Sequence, residues 1–178
     1  MMKRIPIYVA CLLLTACSSG VEAGNNAGSP IAQPSQSIQS SKKFPDVALM
    51  DLETSKIKRS DSLLGSDRIY TFWASWCQTC ASEFPLWRDK ELSKHIIGIN
   101  VQDASAGKSF QLNAQKLMTE QRISFPNFID IHDQLTTALG IVGLPVTIVV
   151  DSKGNIVHRQ DGAITRQQLI QFNQQIHR

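Results

Sequence analysis

The chain has 178 residues, 42% of them hydrophobic, with 18 Lys and Arg against 15 Asp and Glu. Lys3 and Arg4 lie in a leader-like segment, and without these two the 18 basic residues become 16 against 15 acidic ones. A balance so close to neutral argues against a nucleic-acid-binding protein and against strong electrostatic attraction to anionic lipid.

The first sixteen residues resemble a bacterial lipoprotein signal. Lys3 and Arg4 form a positive region, residues 5–14 are apolar, and small residues then lead to Cys17. The apolar run of about ten residues is too short to span a hydrocarbon layer of about 30 Å. We predict that residues 1–16 are removed and that Cys17 is lipidated. The alternative is a plain secretory signal that is cut near the same place, with Cys17 incidental.

The segment that follows is rich in Ser, Gly, Asn, Gln and Pro and has very few large apolar side chains. It cannot bury enough apolar surface to offset the entropy lost on ordering. We therefore predict that residues 17–43 are a flexible tether, with a typical end-to-end distance of about 25–30 Å. Residues 44–178 are enough for a single domain with one core.

The elements of this domain follow from the spacing of its apolar residues. In its first half we predict two short strands that form a hairpin, a helical turn, a buried strand, a long helix and a second buried strand. In that order they span residues 47–52, 55–59, 60–64, 69–73, 77–92 and 96–101. Gly65 should end the helical turn, and Pro85 should kink the long helix because it lacks an N–H group.

The second half begins with an amphipathic helix over residues 105–121. Its apolar face carries Phe110, Ala114, Leu117 and Met118. A short strand, a short helix, a two-stranded hairpin and a last helix should follow. They span residues 125–130, 133–139, 146–151 with 156–160, and 165–176. Thr165 and Gln168 match a capping box at the start of the last helix, and the whole order implies a mixed sheet covered by helices.

The most informative motif is Trp-Cys-Gln-Thr-Cys at residues 76–80, between the predicted buried strand and the long helix. The N-terminus of a helix presents unpaired N–H groups and the positive end of the helix dipole. A Cys77 thiolate at that point is stabilised and becomes a nucleophile near neutral pH. Cys80, one turn further on, can then resolve a mixed disulfide.

Half of a zinc site is the alternative interpretation of this cysteine pair. Zinc needs two further ligands, and the histidines show no paired spacing: His95, His132, His158 and His177. Of the four cysteines, Cys11 would leave with the signal and Cys17 would carry lipid. Only Cys77 and Cys80 would remain as thiols, which favours redox chemistry over metal binding.

These residues resemble the thioredoxin fold, and in finer detail the membrane-tethered TlpA/ResA/DsbE-like branch of that family. The resemblance spans about residues 44–178. Three features carry it: Phe-Trp-Ala-Ser-Trp-Cys-x-x-Cys-x-x-Glu-Phe-Pro at residues 72–85, a helix-bearing insertion around residues 105–130, and Gly-Leu-Pro-Val-Thr at residues 143–147. It implies an α/β, thioredoxin-like fold: a mixed central sheet flanked by helices, with this insertion and an N-terminal β-hairpin.

The resemblance also implies further site residues. Pro145 is expected to be cis and to face the cysteine pair, and Leu144 before it to hold an extended substrate through its backbone. An ordinary strand-entry proline is the alternative. We further expect Trp73 in the core, and Trp76 beside the pair, where it shields the cysteines and contacts substrate.

Two departures from the thioredoxin pattern bear on the mechanism. Most thioredoxins have a buried acid where this chain has Thr71, and Glu83, three residues after Cys80, is the expected replacement. A solvated helix residue is the alternative for Glu83. A carboxylate near the pair disfavours a thiolate, and Gln78-Thr79 supplies no positive charge to stabilise one. Both features favour a reducing couple.

The sequence thus predicts a lipid-anchored, extracytoplasmic thiol–disulfide oxidoreductase with Cys77 and Cys80 as its redox pair and Glu83 as their helper. The resemblance implies no cofactor and no metal. It implies a protein disulfide substrate, such as apocytochrome c before haem attachment, and a membrane thiol reductase as electron donor. Two alternatives stay open, a Cu(I) metallochaperone that uses the two thiolates and a net oxidant that forms disulfides.

Overall fold

The structure is a computed structural model that describes residues 42–101 and 108–176. Its strands are β1 (Ala48–Asp51), β2 (Ile57–Arg59), β3 (Arg68–Trp73), β4 (Ile96–Asn100), β5 (Asn127–Ile129), β6 (Val146–Val150) and β7 (Ile156–Asp161). Its α-helices are α1 (Phe84–Trp87), α2 (Lys90–Ser93), α3 (Lys108–Glu120), α4 (Gln134–Ala138) and α5 (Arg166–Gln175). Two short 3-10 helices, Ser60–Leu63 and Thr79–Glu83, complete the described part.

The described strands form one sheet in the order β2-β1-β5-β4-β3-β6-β7. Strand β4 pairs in parallel with β3 and with β5, whereas the other neighbours are antiparallel. The sheet is therefore mixed, and the thioredoxin-like α/β fold expected from the sequence is confirmed. Strand β3 lies inside the sheet because its residues from Ile69 onward are apolar or small and are buried on both faces.

Alternation along β3 divides the core into two layers. Ile69 and Trp73 point to the layer that also holds the two cysteines and the buried residues of α1, α3 and α5. Tyr70 and Phe72 point to the opposite layer, which is closed by α4 and by the start of the domain. The residues that follow β3 therefore enter the first layer, between the sheet and three helices.

The N-terminal hairpin is confirmed, since β1 and β2 pair antiparallel. The two described residues before the predicted boundary at residue 44 already bond to the rest of the domain. Lys43 forms a β-bridge with Asn155, and the Lys42 carbonyl accepts a hydrogen bond from the Ile156 N–H. These backbone bonds attach Lys42 and Lys43 to the chain at the start of β7, so a flexible tether would have to end before Lys42. The rest of the predicted tether lies outside the described residues.

The prediction of one long helix over residues 77–92 is wrong. That stretch contains the 3-10 helix Thr79–Glu83, then α1 and then α2. Pro85 lies in the first turn of α1, where a missing N–H costs least, so a new helix begins there instead of a kinked old one continuing. The Asp89 side chain accepts from the N–H groups of Glu91 and Leu92 and caps α2, which ends α1 before it.

The later helices agree better with the predictions. In α3, Ala114 and Met118 are buried and Leu117 is partly buried, although the Phe110 side chain and residues 105–107 lie outside the described part. Thr165 and Gln168 form the predicted capping box of α5. The predicted inner face of α5 is buried: Leu169, Phe172 and Ile176. Within residues 42–101 and 108–176, no helix combines the length and the apolar composition needed to cross a membrane.

One buried hydrogen bond joins β3, the strand before the cysteines, to β5, which lies on the other side of β4. The Trp73 Nε1–H donates to Asn127 Oδ1 at 2.9 Å, and Asn127 Nδ2 donates to the Phe125 carbonyl. Gly98 of β4 lies between them, and a Cβ atom there would be 1.8 Å from Asn127 Oδ1. The absence of a side chain at Gly98 therefore makes room for this bond.

We predict that Gly98→Ala destabilises the domain by about 2–3 kcal/mol, because the new methyl group displaces the Asn127 amide and breaks its bond to Trp73. Urea unfolding followed by tryptophan fluorescence measures this. Gly143→Ala is the matched control, since a Cβ atom there would have nothing within 4 Å, and its stability should change by less than about 1 kcal/mol. Equal losses in the two variants would contradict the assignment.

Candidate active site

The cysteine pair follows the end of β3 and is oxidised in the structure. Cys77 and Cys80 form a disulfide, with their Cα atoms 5.3 Å apart. The Cys80 N–H donates to Cys77 Sγ at 3.1 Å. This is the type of backbone interaction expected around the first cysteine, although it is made by the short 3-10 segment and not by a long α-helix.

The two sulfur-bearing residues differ in accessibility. Cys77 retains 8% of its surface and Cys80 none. A partner molecule can therefore reach the pair only from the Cys77 side. Trp76, which is 64% exposed, stands next to that opening.

Glu83 lies in the same 3-10 helix as Cys80, three residues further on. With three residues per turn, side chains at i and i+3 eclipse one another, about 6 Å apart along the helix axis. The Glu83 side chain has no exposed surface, so it is not a solvated helix residue. Its Oε1 accepts a hydrogen bond from the Ile164 N–H at 2.8 Å, just before α5.

Burial decides the protonation state of Glu83. Removal from water disfavours the carboxylate and raises the pKa of Glu83 to about 7, and the hydrogen bond from Ile164 opposes this rise only in part. The group can therefore hold or release a proton near neutral pH. Its Oε2 makes no hydrogen bond within the described part of the chain, so one oxygen remains available to a proton.

The three tryptophans have different surroundings. Trp73 is in the core as predicted, and Trp76 is exposed at the opening beside Cys77. Trp87 is also buried, in edge-on contact with Trp73 at 6.0 Å and with Phe125 at 5.6 Å between ring centroids. Trp73, Trp87 and Phe125 thus form an aromatic cluster in the core layer that also holds the cysteines, and its packing helps to fix the cysteine segment on the sheet.

The other residues expected at the site come from β3 and from the start of β6. The Leu144–Pro145 peptide bond is cis, as the resemblance implies. Leu144 is partly buried and packs against the same core layer as both cysteines. Thr71 is buried in β3 and has no charge with which to assist a thiol. Cys17 lies outside the described residues.

A cavity of about 460 Å³ opens on the exposed side of the pair. Cys77 and Trp76 line it on one side, and Leu117 and Gln121 of the α3 region line the other. A separate cavity of about 860 Å³, with Arg68 among its lining residues, contains neither cysteine. We take the smaller cavity as part of the site because it alone of the two reaches the reactive sulfur.

In the described part of the chain, no group of three or more His, Cys, Asp or Glu side chains is placed to hold a metal ion.

Two neighbours of the site could not be found by sequence reasoning. The Ile164 N–H donates a hydrogen bond to Glu83, 81 residues away in the sequence. Arg88 donates one to Gln121, 33 residues away. Backbone groups and unpatterned polar residues give no sequence signal of such pairings.

Comparison with known proteins agrees with this geometry. The family model described as Redoxin matches residues 39–175. The chain is 25% identical over 163 residues to the thiol-disulfide oxidoreductase ResA of Bacillus subtilis, covering 92% of this chain and 88% of that one. It is 28% identical over 132 residues to ResA of Geobacillus thermodenitrificans, covering 74% and 75%.

Among solved structures, the chain resembles a protein described as the thiol:disulfide interchange protein DsbE of Chlorobium tepidum. The TM-score is 0.61 at 25% identity, and the match covers 77% of this chain and 94% of that one. The sequence and structural relatives therefore agree on the thioredoxin-like fold and on the chemistry of a cysteine pair.

The raised pKa of Glu83 predicts a pH-dependent difference in stability between the oxidised wild type and Glu83→Gln. Between the ordinary pKa of 4.5 and about 7, the folded chain keeps a proton that the unfolded chain has released. Wild-type stability should therefore fall, relative to the variant, as pH rises through this window, by on the order of 3 kcal/mol. Urea unfolding at several pH values measures the difference. Parallel pH curves would contradict the assignment.

Proposed function

The chain belongs to the Redoxin family and is a thioredoxin-like thiol–disulfide oxidoreductase. On that premise we propose that it is an extracytoplasmic reductant of protein disulfides that uses Cys77 and Cys80. The observation that carries this proposal is the asymmetry of the pair, in which Cys77 alone reaches the surface. An exposed attacking sulfur beside a buried resolving sulfur suits transfer of two electrons through a mixed disulfide.

The reaction begins with both cysteines reduced. The Cys77 thiolate attacks a partner disulfide, one Cys77–partner S–S bond forms, and the partner's own S–S bond breaks to give a thiolate that takes up a proton. Cys80 then loses its proton and attacks Cys77 Sγ. The internal disulfide forms again, the mixed disulfide breaks, and the partner leaves with two electrons and two protons.

Glu83 serves the second step in this scheme. It is buried three residues after Cys80 in the same 3-10 helix, and burial raises its pKa to about 7. A group with a pKa near the working pH is well suited to accept a proton and to release it again. Glu83 can thus take the proton of Cys80 inside a region from which water is excluded. The pair and the carboxyl titrate as one coupled group, so measured pKa values will belong to the group.

The charges around the pair favour reduction over oxidation. A strongly oxidising cysteine pair has a stabilised thiolate, whereas Gln78 and Thr79 supply no positive charge here. Glu83, once ionised, repels a thiolate. Both effects raise the free energy of the thiolate form, and so make the couple more reducing.

The proposal places the enzyme in the cell envelope, held by lipid on Cys17 and facing the periplasm, or the outer face of the membrane where there is no periplasm. The lipoprotein-like signal before Cys17 and the low-complexity segment after it support this location. A membrane thiol reductase would return the disulfide to the dithiol. Oxidised envelope proteins are the proposed substrates.

The division of roles predicts which variant traps partners. Cys80→Ser leaves Cys77 able to attack but removes the resolving sulfur, so it should accumulate covalent complexes with natural partners. Cys77→Ser should trap few or none, because Cys80 is buried. Non-reducing electrophoresis of both variants, expressed in the native host, measures this. Adducts that accumulate on Cys77→Ser instead would reverse the assigned roles.

The proposed anchor predicts acylation at Cys17. Metabolic labelling with a palmitate analogue should label the wild type, and Cys17→Ala should lose nearly all of that label. Cys11→Ala is the control, since Cys11 lies in the apolar part of the signal and should leave with it. Equal labelling of the wild type and Cys17→Ala would rule out the lipid anchor.

A further inference from the structure

The cavity beside Cys77 has a second wall that comes from the α3 region, in the stretch that the resemblance assigns to an insertion. Pro85 and Arg88 of the cysteine-bearing side face Leu117 and Gln121 of the α3 region across it. Its volume, about 460 Å³, lies in the range of cavities that bind ligands or side chains. Leu144 and Pro145 do not line it, so it is separate from the place expected to hold the substrate backbone.

The apolar part of this cavity is formed by Pro85 and Leu117, with exposed Trp76 at its opening. Aromatic side chains at such openings are frequent anchors of protein contacts. An apolar side chain next to the reacting cysteine of a partner would bury its surface here while its sulfur reaches Cys77. This part of the cavity therefore suits an apolar residue beside the partner's cysteine.

Arg88 supplies the polar part. Its Nη2 donates to Gln121 Oε1 at 2.6 Å, a bond that holds the guanidinium beside the cavity but leaves its charge intact, since the acceptor is neutral. The adjacent carboxylate, Asp89, is bonded to Arg166 and to the start of α2. The guanidinium has five N–H donors, enough to bind Gln121 and still form a two-point contact with an incoming carboxylate.

We propose that the cavity between Pro85, Arg88 and Leu117 is a specificity subsite for the partner polypeptide. It selects a segment in which an apolar side chain and an acidic side chain flank the reacting cysteine. This inference deepens the proposed function and rests on it, because the segment must bind while its sulfur exchanges with Cys77. The α3 region thereby acquires a role in choosing substrates.

The test uses the reduced full-length chain and two peptides of equal length, each closed by one internal disulfide. Both cysteines of a peptide are flanked by Leu and by either Asp or Lys, so attack at either sulfur reports the same contacts. Oxidation of the protein is followed by tryptophan fluorescence. We expect the Asp peptide to react about fivefold faster than the Lys peptide at low salt, with the difference shrinking at high salt.

Arg88→Glu should reverse this preference, and Lys90→Glu is the matched control. Lys90 is exposed, lies two residues away and undergoes the same change of charge, but it does not line the cavity. Unfolding midpoints of the three proteins establish that each is folded. A third peptide is the Asp peptide with Gly in place of Leu. It should react more slowly than the Asp peptide with the wild type, with Arg88→Glu and with Lys90→Glu.

Several results would overturn the subsite. They are equal rates with the Asp and Lys peptides, an Asp preference that survives in Arg88→Glu, an equal reversal in Lys90→Glu, or no loss with the Gly peptide. The uncharged disulfide 2-hydroxyethyl disulfide separates this failure from failure of the proposed function. If the wild type does not reduce this compound, thiol–disulfide exchange itself is refuted, and the subsite with it. If the wild type does reduce it, the peptide rates test the subsite alone.

Discussion

A buried carboxyl group joins the segment that carries the two cysteines to the chain that leads into α5. Glu83 accepts a hydrogen bond from the Ile164 N–H, with no exposed surface and with its pKa raised to about 7. Burying a carboxyl group costs free energy unless it is protonated or well bonded. This cost falls on a residue in the same 3-10 helix as Cys80, to which the proposed mechanism assigns a proton transfer.

The packing of the sheet next to this site restricts movement of the segment that carries the cysteines. Strand β3 is buried on both faces, and the Trp73 indole is bonded to Asn127 across Gly98 of β4. Trp87 packs on Trp73 beneath the cysteine segment. The cysteine segment therefore rests on closely packed side chains, while Cys77 keeps a small exposed surface. This arrangement fits a site in which the incoming partner adapts to the enzyme.

The break in the predicted helix is what creates the site's particular geometry. A continuous α-helix over residues 77–92 would place Cys80 and Glu83 about 300° apart around the axis, offset by roughly 60°. The 3-10 helix places them on one line. Arg88, directly after α1, forms a hydrogen bond with Gln121. The helix breaker Pro85 was visible in the sequence, but its effect depended on the core that each short helix had to cover, and the capping role of Asp89 appeared only in the structure.

The sequence by itself determined the class of fold, the cysteine pair and the succession of strands and helices along the chain, because apolar periodicity and the Trp-Cys-x-x-Cys context are local signals. The spacing from Cys80, taken together with the family resemblance, also pointed to Glu83. Only the tertiary structure decided that Glu83 is buried and bonded to Ile164, and that the α3 region forms a wall beside Cys77. Burial and contact across 81 positions arise when separate segments pack together, and a pattern within one segment carries no information about such packing.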